Sequence, residues 1–266
     1  MFKSVGFIGT GNMGGSIAKV VYSNIADSTL YLSDNSAEKL ASFSAELKGS
    51  VPSNNVEIAK ECSLIFLAVK PQVLPVVLAE IAPSLRARKD RFVIASMAAG
   101  TSIEKIVTLI GINCPIIRMM PNTPVSVGGG VIQYCYKDTS EEEVNDYVSL
   151  LNNAGTVDYL PESLIDAACA LSGSGPAYAY TFIDALADGA VACGLSRDKA
   201  LKYAAQMVEG AAKMVRTSGE HPDVLKDAVC SPGGTTIEGV RALEQAGFRG
   251  AVIDAVIAGY KKAKEM

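Results

Sequence analysis

The stretch KSVGFIGTGNMGGSI at residues 3–17 restricts the possible folds of this chain more than any other. A short apolar strand over 5–8 runs into the spacing Gly9-x-Gly11-x-x-Gly14 and then into a helical pattern. Each glycine has a physical purpose. Gly9 permits a tight turn off the strand, Gly11 lets the backbone approach a pyrophosphate, and Gly14 lets the new helix pack against the strand. The free N–H groups and positive dipole end of that helix then face the anion. A glycine turn that merely saves space is the competing reading. The strand before it, the helix after it and Asp34, about 20 residues on after a second apolar strand, favour dinucleotide binding.

Asp34 bears on which dinucleotide. A carboxylate at the end of the second strand can accept from the ribose 2′-hydroxyl of NAD and would repel the 2′-phosphate of NADP. The local run Ser33-Asp34-Asn35-Ser36 has no arginine but offers a phosphate three other polar side chains. Both NADPH and NADH stay open on this reading.

Apolar runs at 30–32, 64–69, 92–95, 116–119 and 130–136 read as further strands. Helical patterns fall at 13–21, 37–47, 54–62, from Pro71 to about 82, and at 102–109. The run over 64–69 is continuous, as in a parallel strand buried on both faces, and Pro71 after it suits the first turn of a helix. Alternation of this kind predicts an α/β fold, a Rossmann-type doubly wound sheet that is open and mostly parallel. Ligands of such sheets sit beyond the carboxyl ends of the strands. The turns at 9–14, 68–71, 97–100 and 120–124 would wall one cleft there. Lys70 is its cation, either touching phosphate or ribose, or snorkelling from the start of its helix.

From about 161 the strand pattern gives way to helices, broken at 173–176, 194–196, 218–222 and 231–234. Two domains are therefore expected, a dinucleotide-binding domain over 1–160 and an all-α domain over 161–266. The second is rich in alanine and glycine and too apolar to satisfy itself easily. It predicts a homodimer, with a tightly crossed internal core as the alternative.

Composition narrows the class. The net charge of −4 gives no general reason to bind nucleic acid or an anionic membrane. The six cysteines are scattered, with no C-x-x-C pair and no cluster around His221, so neither a disulfide framework nor a metal site is expected. No secretory signal or membrane span is read, and a cytoplasmic setting fits best. Nothing suggests nucleophilic or hydrolytic chemistry, and His221 reads as a packing or capping residue. A cofactor that carries the hard chemistry suits such a chain.

The helical half holds a second candidate site in LKDAVCSPGGTTIEGVRAL, residues 225–243. Ser231 reads as an N-cap and Pro232 as the first helical residue. That end is either simply capped, or its N–H groups with the hydroxyls of Thr235 and Thr236 hold a small carboxylate. Paired glycines and paired threonines exceed what capping needs and favour the anion. Gly173-Ser174-Gly175-Pro176 is a similar turn, lining the same pocket or acting as a hinge.

GFIGTGNMGGSI at the start, FLAVKPQ at 66–72, MPNTP at 120–124, LSGSGPAY at 171–178 and VCSPGGTTIEGVRALE at 229–244 together resemble the Δ1-pyrroline-5-carboxylate reductase family. The likeness covers essentially the whole chain in order, and the last two motifs are specific. It implies an NAD(P)H-dependent reductase of the cyclic imine 1-pyrroline-5-carboxylate, giving L-proline in the last step of proline biosynthesis. It also implies helical domains that interlock two subunits, with dimers commonly assembling into decamers. Residue by residue, Ile8, Gly9, Thr10, Gly11, Asn12, Met13 and Gly14 would cradle the pyrophosphate. Ser33, Asp34, Asn35 and Asn55 would meet the adenosine ribose. Ala68, Val69, Lys70 and Pro71 with Met97, Ala98 and Ala99 would meet the rest of the dinucleotide. Ser231, Gly233, Gly234, Thr235 and Thr236, with Ser174 nearby, would hold the substrate. Thr236 would be the hydrogen-bond partner of the ring nitrogen. Asp34 departs from the family pattern by putting an acid where an amide is common, which weakens the usual NADPH preference.

A β-hydroxyacid dehydrogenase on the same plan would need a lysine after a glycine-rich turn, and 173–188 has none. A non-catalytic dinucleotide sensor would leave 231–236 without a purpose.

Overall fold

The structure, a computed structural model, describes residues 2–25 and 28–265. The first half alternates strand and helix: β1 (Ser4–Ile8), α1 (Asn12–Asn24), β2 (Thr29–Ser33), α2 (Ala37–Glu46), β3 (Val51–Pro52), α3 (Asn55–Glu61) and β4 (Leu64–Leu67). It continues through α4 (Leu74–Ala87), β5 (Val93–Ser96), α5 (Ile103–Ile110), β6 (Ile116–Pro121), β7 (Gly130–Lys137), α6 (Glu141–Ser149) and β8 (Gly155–Tyr159). The eight strands form one sheet in the order β3-β2-β1-β4-β5-β6-β7-β8, with β7 antiparallel to β6 and every other pair parallel. The order reverses between β1 and β4, which is where open α/β sheets leave a crevice.

Both faces of this sheet are covered, so its central strands are mostly apolar and buried, with Ser96 on β5 and Arg118 on β6 as buried polar exceptions. Phe7, Leu32 and Phe66 point into one core layer, where the Phe7 and Phe66 rings stack with centroids 4.3 Å apart. Ile8, Ile65, Leu67 and Ile94 point into the other, against α3, α4 and α5. The two-residue alternation places neighbours in sequence on opposite faces.

Three elements escape the sequence pattern. β3 is only two residues long. β8 is an edge strand with four of five residues exposed, so it carries no apolar run. α6 has few apolar residues, although a capping box between Ser140 and Glu143 marks its start.

Two prolines also act differently from expectation. Pro71 does not open a helix. Val73 N–H donates to the Lys70 carbonyl at 2.9 Å, a turn closes, and α4 starts at Leu74 with Pro75 in its first turn. Pro232 lies in a turn as well. Gly234 N–H donates to the Ser231 carbonyl at 3.0 Å and Gly233 sits at φ +66°, so proline and a left-handed glycine form a reverse turn. Ser231 is thus not an N-cap: Gly234 is.

α7 (Glu162–Ser172) packs on the sheet through Ile165 and Ala170. Arg118 on β6, with its side chain 5% exposed, donates to Glu162 at 3.2 Å and Asp166 at 2.8 Å. Asn122 and Gln133, both buried, bond Ser172 at the far end of the helix. The chain divides into two compact units, Met1–Gly173 with Tyr260–Met266, and Ser174–Gly259. The division therefore falls after α7, whereas the change of pattern in the sequence comes before it.

The second unit contains α8 (Gly175–Ala192), α9 (Arg197–Ser218), α10 (Pro222–Val229), α11 (Thr235–Gln245) and most of α12 (Phe248–Lys264). α8 meets α9 through Ala187, Ala200 and Ala204, whose small side chains let the helices approach closely. α10 and α11 have no buried residue. A groove of about 480 Å³ between α8 and α12 is lined by Tyr178, Phe182, Phe248 and Val252 among alanines. Among the described residues, no helix is long and apolar enough to cross a membrane.

Candidate functional site

The glycine turn leaves β1 where the strand ends of β1, β2 and β4 are level, Ile8 pairing with Ser33 on one side and Leu67 on the other. Gly9 takes φ +100°, and its N–H donates to the Ser33 carbonyl at 2.8 Å. A Cβ on Gly14 would strike the Gly9 carbonyl oxygen and come within 2.7 Å of Ala68 Cβ. A Cβ on Gly11 would meet nothing within 4 Å. Gly14 is therefore needed for packing, whereas Gly11 borders open space. Gly11 is also the N-cap of α1 and offers no side-chain hydrogen bond to it, so the first N–H groups of the helix remain available.

That space continues as a groove of about 420 Å³ lined by Ile8, Gly9, Gly11, Asp34, Asn35, Asn55, Ala68, Val69, Lys70, Val73 and Val77. Nine of the expected cofactor residues thus come together. Val73, the N-cap of α4, and Val77, one turn on, add an apolar wall with no counterpart among the expected residues; their i, i+4 spacing after Lys70 was the available signal. Thr10 and Asn12 face a second groove on the α1 side of the turn. Gly14 and Ala98 are both buried and line neither groove. Ser33, at the end of β2, bonds Asn55 instead of lining the groove. Met13, Pro71, Met97 and Ala99 do not line it.

Asp34 serves the protein itself. Its Oδ2 accepts from Thr10 N–H and from the Thr10 hydroxyl, both at 2.9 Å, and Oδ1 accepts from Ser36 N–H at 3.1 Å. Partial burial pushes the carboxyl pKa up, but the hydrogen bonds from Ser36 and Thr10 and the nearby Lys39 outweigh it and leave the pKa below its ordinary value. The acid thus latches the glycine turn to β2, and three of its roughly four acceptor positions are taken. Beside it the Ser33 hydroxyl donates to Asn55 Oδ1 at 2.7 Å, and Asn55 Nδ2 donates to Glu80 at 2.7 Å. Glu80, not singled out in the sequence, holds this amide in place.

The second candidate site belongs to the helical unit. Ser231 and Gly233 form the reverse turn, Gly234 caps α11 without a side-chain bond, and Thr235 and Thr236 are its first helical residues. Ser231 Oγ occupies the place a Cβ on Gly234 would need. The glycine therefore lets the serine hydroxyl close on the helix end. Ser174 stands at the N-terminus of α8 with Pro176 in the first turn, also without a side-chain bond. By contrast α2, α3, α5 and α6 are each capped by a serine or asparagine side chain. His221 caps α10, its Nδ1 accepting from Asp223 N–H at 3.2 Å.

Burial pushes the Cys62 thiol up to about 12 and those of Cys114 and Cys135 to about 11, so they are protonated packing groups. Among the described residues no three His, Cys, Asp or Glu side chains gather as a metal site.

Comparison with known proteins covers the whole chain. Residues 4–100 match the family model described as NADP oxidoreductase, coenzyme F420-dependent, and residues 162–266 match the model for pyrroline-5-carboxylate reductase dimerisation. Pyrroline-5-carboxylate reductase of Escherichia coli (strain K12) is 39% identical over 100% of this chain and 99% of its own. Pyrroline-5-carboxylate reductase 3 of Danio rerio is 41% identical over 98% of this chain and 91% of its own. The crystal structure of Plasmodium falciparum pyrroline carboxylate reductase with NADP bound superposes with a TM-score of 0.86, at 32% identity, over 98% of this chain and 97% of that one.

Proposed function

The chain belongs to the pyrroline-5-carboxylate reductase family and reduces 1-pyrroline-5-carboxylate to L-proline with NAD(P)H in proline biosynthesis, and we propose that the two glycine-bearing helix ends divide that work. The observation that carries the division is the open space beside Gly11, bordered by unspent N–H groups of α1 and by Lys70. This is a cradle for a pyrophosphate, and the residues present fit a dinucleotide.

Residues 1–160 are the dinucleotide-binding domain and 161–266 the substrate-binding and dimerisation domain. Ile8, Gly9, Thr10, Gly11, Asn12, Met13 and Gly14 form the pyrophosphate turn. Ser33, Asp34, Asn35 and Asn55 border the adenosine ribose, and Ala68, Val69, Lys70, Pro71, Met97, Ala98 and Ala99 the remaining strand ends. NADPH is the reductant, and NADH is a competent substitute. When bound, the reduced nicotinamide supplies hydride to the imine carbon while the ring nitrogen ends protonated. Ser231, Gly233, Gly234 and Thr235 hold the substrate carboxylate at the N-terminus of α11, with Ser174 as a neighbouring donor. Thr236 orients the ring nitrogen. Its hydroxyl is too weak an acid to protonate an imine at neutral pH, so the proton enters with the substrate or from water.

The apolar faces of the helical domain pair two copies, and such dimers assemble further into decamers in the cytoplasm. The match of 162–266 to a dimerisation family supports the pairing. The test is the fall in NADPH absorbance on mixing the purified protein with 1-pyrroline-5-carboxylate, for wild type and Thr236→Ala. Turnover that drops about tenfold or more in the variant, with unchanged melting, supports the assignment. Wild-type kinetics in Thr236→Ala would refute the role of that residue.

A further inference from the structure

Asp34 places a negative charge at the ribose end of the cleft, where the 2′-phosphate of NADPH would add another. The first turn of α2 carries a cation beside it. Ser36 caps that helix by accepting from Lys39 N–H at 3.3 Å, which fixes where the Lys39 stem leaves the backbone. The Lys39 side chain lines the groove on the α1 side of the glycine turn, about 520 Å³ in volume, with Thr10, Gly11, Asn12, Lys19 and Phe43. Gly11 borders this groove and the cofactor groove alike, so the two meet at the turn.

The other cations of these grooves are differently placed. Lys19 is held 2.6 Å from Glu46 and lies over the Phe43 ring. Lys70 follows β4, on the side of the cleft away from β2. Among the described residues the Lys39 ammonium has no hydrogen-bond or salt-bridge partner, and its charge helps hold the Asp34 carboxyl below its ordinary pKa. Asp34 cannot absorb it fully, because its oxygens already serve Thr10 and Ser36.

We propose that Lys39 is a specificity-determining residue for the cofactor: its ammonium pairs with the 2′-phosphate of NADPH at the ribose rim of the cleft, on the Thr10 side of Asp34, and offsets Asp34 there. NADH presents only a ribose hydroxyl at this rim, so the lysine contributes little to its binding. This inference rests on the first unit being the dinucleotide-binding half and is independent of the substrate residues on α11.

Two measurements test it on the full-length enzyme. The first is kcat/KM for NADPH and NADH in wild type, Lys39→Ala, Lys39→Arg and Lys39→Glu. Loss of one charge-assisted contact lowers the NADPH value about 10- to 100-fold in Lys39→Ala. The NADH value stays within about threefold of wild type, Lys39→Arg retains the NADPH preference, and Lys39→Glu reverses it. The second is calorimetric binding of 2′,5′-ADP against 5′-AMP, which needs no turnover. Wild type prefers 2′,5′-ADP, and Lys39→Ala loses that preference. Equal losses with both cofactors, or an unchanged 2′,5′-ADP preference in Lys39→Ala, overturn the proposal. Absence of turnover in every protein, with the 2′,5′-ADP preference still dependent on Lys39, would refute the reductase reading and leave this inference standing.

Discussion

In the sheet unit Val5, Phe7, Leu64 and Phe66 are entirely buried, while in the helical unit only Ala187, Ala200 and Ala204 form a buried cluster. The apolar residues Tyr180, Met207, Ile237, Leu243, Val252 and Ile253 stand 38% to 60% exposed. At roughly 25 cal/mol per Å² of apolar surface removed from water, the first unit gains its stability from its own chain. The second has apolar surface of the same kind that its own chain leaves exposed. The candidate sites follow this division. The glycine turn at Gly9 is latched by Asp34 and backed by Ala68, whereas a Cβ on Gly233 would meet nothing within 4 Å. One site is built against the sheet core, and the other sits on helices α10 and α11, which have no buried residue.

The strongest way to break this contrast is to charge the helical unit. Val252→Asp puts a carboxylate in the groove beside Phe182, and a buried unpaired charge costs several kcal/mol. Sedimentation is expected to give monomers, with turnover down about 100-fold or more and NADPH binding within about threefold of wild type. An active dimer would show that the groove is not the contact.

Next in size is Arg118→Leu, which leaves Glu162 and Asp166 without their buried partner. Breaking such a pair costs about 3–5 kcal/mol, read as a lower urea midpoint of the sheet unit. Adding Glu162→Gln and Asp166→Asn should recover part of it.

A matched pair of glycine variants then separates packing from binding. Gly14→Ala forces a methyl against the Gly9 carbonyl and Ala68, costing about 1–3 kcal/mol of stability and with it nucleotide affinity. Gly11→Ala meets no protein atom, so it should leave the melting temperature alone while weakening NADPH binding measured by calorimetry. Equal destabilisation by both would contradict the cradle.

The smallest effect belongs to the latch. Asp34 has its pKa lowered in the folded protein, so its contribution is complete above the ordinary carboxyl value of about 4 and is lost as pH falls through the lower folded value. Solvent screening keeps it to about 1 kcal/mol or less. Unfolding of Asp34→Asn against wild type should show that gap at neutral pH and see it close in acid.

Much of this was legible locally. The strand, glycine turn and helix at 3–17 declare themselves because periodicity and glycine spacing act over a few residues. The five family motifs carry the reaction for the same reason. Turn chemistry at the prolines was less legible. Pro232 followed by Gly233 suits a helix start and a reverse turn equally well, and the left-handed conformation of Gly233 decided for the turn. β8 lacked a signal because an edge strand needs no apolar run.

What the sequence by itself determined, then, was the Rossmann half, the helical half and the family to which the chain belongs. Only the tertiary structure decided what individual polar side chains do. Asp34 reads as a ribose acceptor in sequence, and folding also brings it to Thr10, 24 positions away, which takes up its Oδ2. Arg118 reads as one residue in an apolar strand, yet it fastens α7 from 44 and 48 positions away. Local patterns follow from backbone period and turn sterics, which neighbours in sequence settle. Hydrogen-bond partners follow from which strand ends the sheet order brings level, and that is fixed only when the whole core has packed.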